Sequence, residues 1–177
     1  VETIVRCGNA IADALGHVHA RTILHRDVKP SNIGFSLGAG AKLLDFGLAR
    51  LLEEGGTPIQ FPAMPRDLTV TSGVVGTPAY LSPEAILGET PHTDFDLWSL
   101  SLTLYEAATG TNPFIESTVT ATMNAILTRK VHDPRELRRD CPEGLSRFLV
   151  ESLSRQRETR PRSAHELASK LRGVLAY

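Results

Sequence analysis

The amino-acid sequence predicts a mainly α-helical domain, organised around one buried central helix and carrying a small β-hairpin. Residues 94–108 are apolar nearly all round, which is typical of a helix enclosed by other elements. Amphipathic stripes at helical spacing precede and follow this segment, and two short apolar runs flank a glycine-bearing turn. With 177 residues, of which 41% are hydrophobic, the chain can form one core, and we interpret residues 1–177 as one domain.

The first predicted element is an amphipathic helix over residues 2–20. Four apolar residues recur there at helical spacing: Ile4, Ile11, Leu15 and Val18. A charged loop follows this helix. The apolar runs 33–35 and 41–44 then predict a hairpin that is closed by the turn at residues 37–40.

The second half of the chain contains a long loop and further helices. Residues 51–76 hold three prolines and a glycine pair, which favours a loop, and loops of this length usually carry function. After the central helix, three more helices are predicted, over residues 116–129, over residues 143–154 and from Ser163 to near the end. Ser163 with Glu166 three residues later is a capping-box signature.

The composition argues against several kinds of partner. The 19 Lys and Arg residues nearly balance the 20 Asp and Glu residues, and the net charge is -1, so we expect no nucleic-acid partner and no membrane contact from this segment. Cys7 and Cys141 lack metal-ligand spacing, which fits a reduced, cytoplasmic protein. The chain starts at Val1 inside a helical pattern, so we expect the parent protein to continue upstream. A segment of the parent outside residues 1–177 could tether it to a membrane.

Two segments carry a dense pattern of polar residues. The first is His25-Arg26-Asp27-Val28-Lys29-Pro30-Ser31-Asn32, and the second is Asp45-Phe46-Gly47, directly after the predicted hairpin. Their residue types and spacing resemble the catalytic loop (here residues 25–32) and the metal-binding loop (here residues 45–47) of protein kinases.

This resemblance implies phosphoryl transfer from ATP with Mg²⁺, a reaction that needs positioned groups and neutralised charge. Asp27 is the expected catalytic base for an acceptor hydroxyl, and Lys29 is expected to place a positive charge near the γ-phosphate. The resemblance implies Asn32 as the third catalytic residue, beside Asp27 and Lys29. Asn32 and Asp45 are the expected Mg²⁺ ligands, since Mg²⁺ prefers oxygen donors. Lys29, Asn32 and Asp45 would together bind the nucleotide, and His25 is expected to support the loop.

A third segment resembles the peptide-positioning loop of the same family: Gly76-Thr77-Pro78-Ala79-Tyr80-Leu81-Ser82-Pro83-Glu84. In the family, the threonine at the Thr77 position contacts the catalytic Asp and Lys, so Thr77 is expected to position the substrate. Thr77 together with Lys29 implies a Ser or Thr acceptor rather than Tyr. Glu84 is expected to form a structural ion pair with Arg160, and residues 45–84 would form the activation segment.

Regulation by phosphorylation is implied by Arg26, because an arginine beside the catalytic Asp can bind a phosphate through charge-assisted hydrogen bonds. Thr69 and Thr71 are the candidate phosphosites, five to seven residues before Gly76, where related bacterial kinases autophosphorylate. Hydroxyl residues in loops are also common turn formers, so a purely structural role for either threonine stays open.

The resemblance covers essentially the whole chain and is closest to bacterial serine/threonine protein kinases of the eukaryotic type. It implies the carboxy-terminal lobe alone, because no segment matches the Gly-rich loop or the strand lysine of the amino-terminal lobe. The expected partners are therefore the missing amino-terminal lobe and proteins with Ser or Thr acceptors. We expect this fragment to be nearly inactive by itself.

Two alternatives remain. A small-molecule kinase of the same superfamily would share the fold, but the peptide-positioning segment at residues 76–84 argues against it. A pseudokinase-like regulatory or docking module would normally have lost the base or the metal ligands, and Asp27, Asn32 and Asp45 are all present. The missing lobe is the support for this second alternative.

Overall fold

The computed structural model describes residues 1–36, 40–46, 50–51 and 78–174 of this chain, most of them helical. The helices are α1 (Glu2–His19), α2 (Pro83–Ile86), α3 (Asp94–Thr109), α4 (Val119–Thr128), α5 (Pro134–Leu137), α6 (Glu143–Ser152) and α7 (Ala164–Gly173). The strands are β1 (Ile23–Leu24), β2 (Ile33–Ser36), β3 (Gly40–Leu43) and β4 (Arg50–Leu51). Short 3₁₀ turns are formed by Pro30–Asn32, Pro78–Tyr80 and Arg157–Thr159. None of the helices in these ranges is long and apolar enough to cross a bilayer.

Helix α3 lies at the centre of the core, as its nearly continuous apolar sequence predicts. All of its 16 residues except Glu106 and Ala107 are buried, and α1 and α6 pack directly on it. Four buried hydroxyl side chains on α3 donate to a carbonyl one turn earlier: Ser99, Ser101, Thr103 and Thr109. These bonds satisfy the hydroxyls inside the helix, so polar residues are accommodated in the core.

The predicted hairpin is present, with β2 and β3 antiparallel and Ile33 opposite Leu43. The backbone N–H of Leu44 donates to the Asn32 carbonyl at 2.8 Å, which extends the pairing by one step toward the charged loop. A second two-stranded sheet, formed by β1 and β4, was not predicted, because runs of two residues carry no periodicity.

Helix boundaries differ from the prediction where side chains cap the ends. Helix α4 begins at Val119, three residues later than predicted, because Thr118 Oγ1 accepts a hydrogen bond from the Ala121 N–H. The capping box predicted for α7 is half formed. Ser163 Oγ accepts from the Glu166 N–H at 3.1 Å, whereas the Glu166 carboxylate accepts from a different backbone N–H.

The packing of α1 on α7 and α3 depends on Gly8. A Cβ atom at this position would lie 2.4 Å from Leu171 Cδ2 and 2.9 Å from Leu104 Cδ1. Both leucines are buried in the core, so neither has room to withdraw. The helices approach each other this closely because residue 8 has no side chain.

We expect Gly8→Ala to destabilise the protein by about 1–2 kcal/mol, because overpacking a filled core outweighs the higher helix propensity of alanine. The matched control is Gly16→Ala in the same helix, where the nearest atom to an added Cβ is 3.7 Å away. That control should be neutral or stabilising by about 0.5–1 kcal/mol. Urea unfolding measures both, and equal stability of the two variants would contradict the close packing at Gly8.

Candidate active site

The charged loop at residues 25–32 is attached to α3 by the carboxylate of Asp96. Asp96 Oδ2 accepts from the backbone N–H of His25 at 2.9 Å, and Oδ1 accepts from that of Arg26 at 2.8 Å. A ring nitrogen of His19 lies 2.8 Å from Oδ2. Asp96 is fully buried, and these three groups replace the water that a carboxylate otherwise needs. The start of the loop is thereby fixed on the central helix.

Two residues of the site adopt the left-handed backbone conformation. The φ angle is 68° at Arg26 and 58° at Asp45. Non-glycine residues are uncommon there, and the conformation persists only where surrounding contacts hold it. For Arg26 one such contact is the bond from its own N–H to Asp96.

Asp27, Lys29 and Asn32 form one cluster. Asn32 Nδ2 donates to Asp27 Oδ2 and to the Asp27 carbonyl, both at 2.8 Å. Lys29 Nζ lies 2.8 Å from the same Oδ2, and about a fifth of each charged side chain is exposed, 19% for Lys29 and 21% for Asp27. The structure thus brings together the three residues predicted to be catalytic, with solvent access to both charges.

Asp45 lies next to this cluster, at the end of the hairpin. Its neighbour Leu44 bonds through its N–H to the Asn32 carbonyl at 2.8 Å. His25 contacts the residues on both sides of Asp45. Its Nε2 lies 3.0 Å from the Leu44 carbonyl oxygen, and its ring packs edge-on against Phe46 with 4.7 Å between centroids. The backbone at Asp45 is therefore held against the loop at residues 25–32 by contacts that His25 makes on both sides of it.

The amide oxygen of Asn32 and the carboxylate of Asp45 are oxygen donors of the kind that suits a hard cation such as Mg²⁺. Both hydrogen bonds of the Asn32 side chain use its nitrogen, so the amide oxygen is not engaged by them. Asp45 supplies a carboxylate. Within the described ranges, no group of three or more His, Cys, Asp or Glu residues could hold a metal ion. Mg²⁺ does not need one, because it is usually bound by one or two side chains together with substrate phosphates and water.

The segment at residues 78–84 is held by side chains of α3 and of the loop after it. The Tyr80 hydroxyl donates to Glu106 at 2.5 Å, and the single hydrogen of Ser99 Oγ is shared between the Tyr80 carbonyl at 2.8 Å and the Phe95 carbonyl at 2.9 Å. Asn112 Nδ2 donates to the Ala79 carbonyl at 3.3 Å. Burial and the neighbouring Glu106 carboxylate raise the pKa of Tyr80, so its hydroxyl stays a donor at neutral pH.

Glu84 and Arg160, predicted as partners, form a buried ion pair with 3.0 Å between Nη1 and the carboxylate. Arg160 Nε also donates to the Ser154 carbonyl at 2.5 Å, and the guanidinium carbon lies 4.6 Å from the centre of the Trp98 ring. Burial by itself would raise the pKa of Glu84, but the hydrogen bond from Arg160 and the backbone outweigh it and lower that pKa. The pair therefore stays ionised at neutral pH.

Three predicted residues, Thr69, Thr71 and Thr77, lie outside the described residues. Their roles as phosphosites and in substrate positioning stay predictions. Arg26 is placed at the start of the loop beside Asp27, and its proposed phosphate binding is likewise a prediction.

Sequence reasoning assigned no role to Asp96, His19 or Glu106, although all three hold parts of the site. One signal was available for Asp96. A charged residue inside a helix that is apolar all round has to be paired when it is buried. The identity of its partners, about 70 residues earlier in the chain, depends on tertiary structure and is not visible in local sequence.

The described elements have the fold of protein kinases. The solved structure of the autoinhibited serine kinase domain of the giant muscle protein titin matches with a TM-score of 0.76, covering 96% of this chain and 50% of that one. At 23% identity this likeness shows the fold alone. A family model described as "Protein kinase domain" matches residues 2–171. The chain belongs to this family.

Curated relatives confirm the predicted likeness to bacterial serine/threonine kinases. The chain is 35% identical, over 91% of its length, to Serine/threonine-protein kinase PknB of Mycolicibacterium smegmatis, and covers 25% of it. It is 33% identical, over 88% of its length, to the DNA damage-responsive serine/threonine-protein kinase RqkA of Deinococcus radiodurans, and covers 22%. Another relative, 33% identical over 87% of this chain and covered to 22%, is named Tyrosine-protein kinase MasK, from Myxococcus xanthus. The chain thus spans about a quarter of the length of these relatives.

The lowered pKa of Glu84 predicts a loss of stability in acid. The folded carboxyl binds a proton less readily than the unfolded one, whose ordinary pKa is 4.5. The stability it contributes is present above that value and is lost as pH falls through the folded pKa. Between about pH 5 and about pH 3, the unfolding free energy of the wild-type chain should fall more steeply than that of Glu84→Gln.

Urea unfolding across this pH range measures the two slopes. Glu151→Gln is the control, because Glu151 is exposed on α6 and forms no side-chain hydrogen bond or ion pair within the described ranges. Its slope should equal that of the wild type. Identical slopes for the wild type and Glu84→Gln would be the contrary result.

Proposed function

We propose that this chain is the carboxy-terminal lobe of a serine/threonine protein kinase. It would transfer the γ-phosphoryl group of ATP to Ser and Thr hydroxyls of proteins once an amino-terminal lobe completes the nucleotide cleft. The observation that carries this proposal is the cluster in which Asn32 Nδ2 and Lys29 Nζ both lie 2.8 Å from Asp27 Oδ2. The names of the bacterial relatives support the same reaction class.

Asp27 acts on the acceptor hydroxyl in this reaction. The contacts of Asn32 and Lys29 to Oδ2 fix the orientation of the carboxylate, and its other oxygen is then available to accept the hydroxyl hydrogen. The hydroxyl oxygen forms a bond to the γ-phosphorus while the bond to the bridging oxygen of ADP breaks. The proton of the hydroxyl passes to Asp27, and the Lys29 charge beside it would offset negative charge on the transferred group.

Asn32 and Asp45 would hold Mg²⁺, which would neutralise negative charge on the phosphates of ATP. With Lys29, they would be the contacts of this lobe to the nucleotide. Asn32 would link the two functions, because its nitrogen orients the carboxylate of Asp27 and its oxygen takes no part in those two hydrogen bonds.

Thr77 and Lys29 support a Ser or Thr acceptor, with Thr77 positioning the substrate. One relative is named a tyrosine kinase, so phosphoamino-acid analysis of the product is the direct check of acceptor type. Arg26 would bind a phosphate carried by Thr69 or Thr71 and thereby order the activation segment.

Exposed apolar side chains support the presence of a second lobe. Phe35 is 70% exposed, Leu44 46% and Phe46 45%, all on the hairpin or directly after it. Large exposed apolar groups beside a functional cluster commonly mark a surface that another element covers. Without that cover, ATP would face water on one side, and the electrostatic stabilisation of the transition state would be weak.

We expect the chain alone to phosphorylate a generic basic protein at least about 10²-fold more slowly than the same chain joined to its amino-terminal lobe, because the cleft stays open. Transfer from radiolabelled ATP measures both rates. Asp27→Asn in the isolated chain controls for contaminating kinases. Comparable rates with and without the second lobe would overturn the expectation of an inactive fragment.

In the protein that carries both lobes, Asp27→Asn should lower kcat by about 10²–10⁴-fold, because the acceptor hydroxyl loses its base. Affinity for ATP should stay within about twofold, since Asp27 serves the acceptor rather than the nucleotide. The control is Asp13→Asn, an exposed carboxylate on α1. Unchanged transfer in Asp27→Asn would remove Asp27 from this role, and absence of transfer in the wild type would favour the non-catalytic docking module.

A further inference from the structure

Arg157 contacts two carboxylates on the stretch that joins the peptide-positioning segment to α3, residues 84–94. Its Nη1 lies 3.4 Å from Glu89 Oε2, and its Nη2 lies 2.5 Å from Asp94 Oδ2. One guanidinium on the 3₁₀ turn Arg157–Thr159 is therefore tied to two points that lie five residues apart on this stretch.

The contact to Asp94 differs from an ordinary surface ion pair. Only 10% of the Asp94 side chain is exposed, compared with 44% for Arg157. Asp94 Oδ2 is buried and has no aligned hydrogen bond among the described residues, so the guanidinium beside it is its close charge partner. The other oxygen, Oδ1, lies 3.0 Å from a ring nitrogen of His92. Exposed pairs contribute little to stability, but a buried carboxylate that loses its partner is costly.

Arg157 and Arg160 hold different parts of the same stretch. Arg160 pairs with Glu84 at its start, and Arg157 pairs with its middle and its end. The Glu89 N–H donates to the Glu84 carbonyl at 3.0 Å and closes the turn between them. Leu87, at the tip of this turn, is 66% exposed, so its side chain does not pack the turn against the core.

We propose that Arg157 is a positioning residue for the acceptor peptide. Its two ion pairs set the position of residues 84–94, and hence of the peptide-positioning segment that directly precedes them. This inference rests on the proposed function. Without Arg157 the stretch would stay held at its two ends, by the Arg160 pair at Glu84 and by α3 from Asp94 onward, and the turn between these ends would be free to move. The catalytic loop should not change, because Asp96 holds it separately.

The first test needs no catalytic activity. Hydrogen–deuterium exchange of Arg157→Gln should be faster by about tenfold within residues 84–94 and unchanged within residues 25–32. Arg162→Gln is the matched control, because Arg162 is exposed nearby and its side chain forms no hydrogen bond or ion pair within the described ranges. Exchange at residues 84–94 that does not differ from the wild type would overturn the proposal.

The second test uses the protein that carries both lobes. Arg157→Gln should raise KM for an acceptor peptide about three- to tenfold, with kcat and KM for ATP within about twofold, and Arg157→Lys should restore part of the loss. A fall in kcat at constant peptide KM, or no change at all, would contradict positioning. If the wild type transfers no phosphate, the proposed function fails, and the exchange experiment alone decides whether Arg157 holds the stretch.

Discussion

Asp96 is buried in the central helix, where a carboxylate is tolerated only if other groups replace its water. The backbone N–H groups of His25 and Arg26 do this, and the benefit is mutual, because these N–H groups also need acceptors once the loop is pressed onto the core. The left-handed backbone at Arg26 is held by the same bond. The direction of the chain entering the candidate site therefore depends on this one side chain.

The rest of the site is held by further polar bonds, together with the packing of Val28 in the core and of the His25 ring against Phe46. Asn32 holds the Asp27 carboxylate with its side chain and the Leu44 N–H with its carbonyl, so one residue connects the catalytic loop with the end of the hairpin. Asp45 is the next residue after Leu44. A site built in this way keeps its charged groups near solvent, where a nucleotide could reach them, while their positions remain set by the core.

The sequence predicted the elements whose signal is local. Residues 94–108 read as a buried helix because they are apolar on every side, and α3 follows that prediction within one residue. The start of α4 was predicted wrongly because the apolar pattern does not show which hydroxyl caps the helix, and Thr118 does so. The spacing of residues 25–32 predicted a cluster of Asp27, Lys29 and Asn32, and the structure brings these three side chains together. The role of Asp96 as an anchor of the loop was not predicted. Its hydrogen-bond partners are distant in sequence, and a pattern of residue types does not specify them.

Helix α3 carries both the anchor of the catalytic loop and the anchors of the segment at residues 78–84. Asp96 holds the former, whereas Ser99 and Glu106 hold the latter. Ten residues separate Asp96 from Glu106, which is about 15 Å along a helix. A helix enclosed on nearly all sides by a filled core has little room to bend. A substitution that shifts α3 as a whole would therefore move the loop at residues 25–32 and the segment at residues 78–84 together, whereas loss of either set of anchors would change the distance between them.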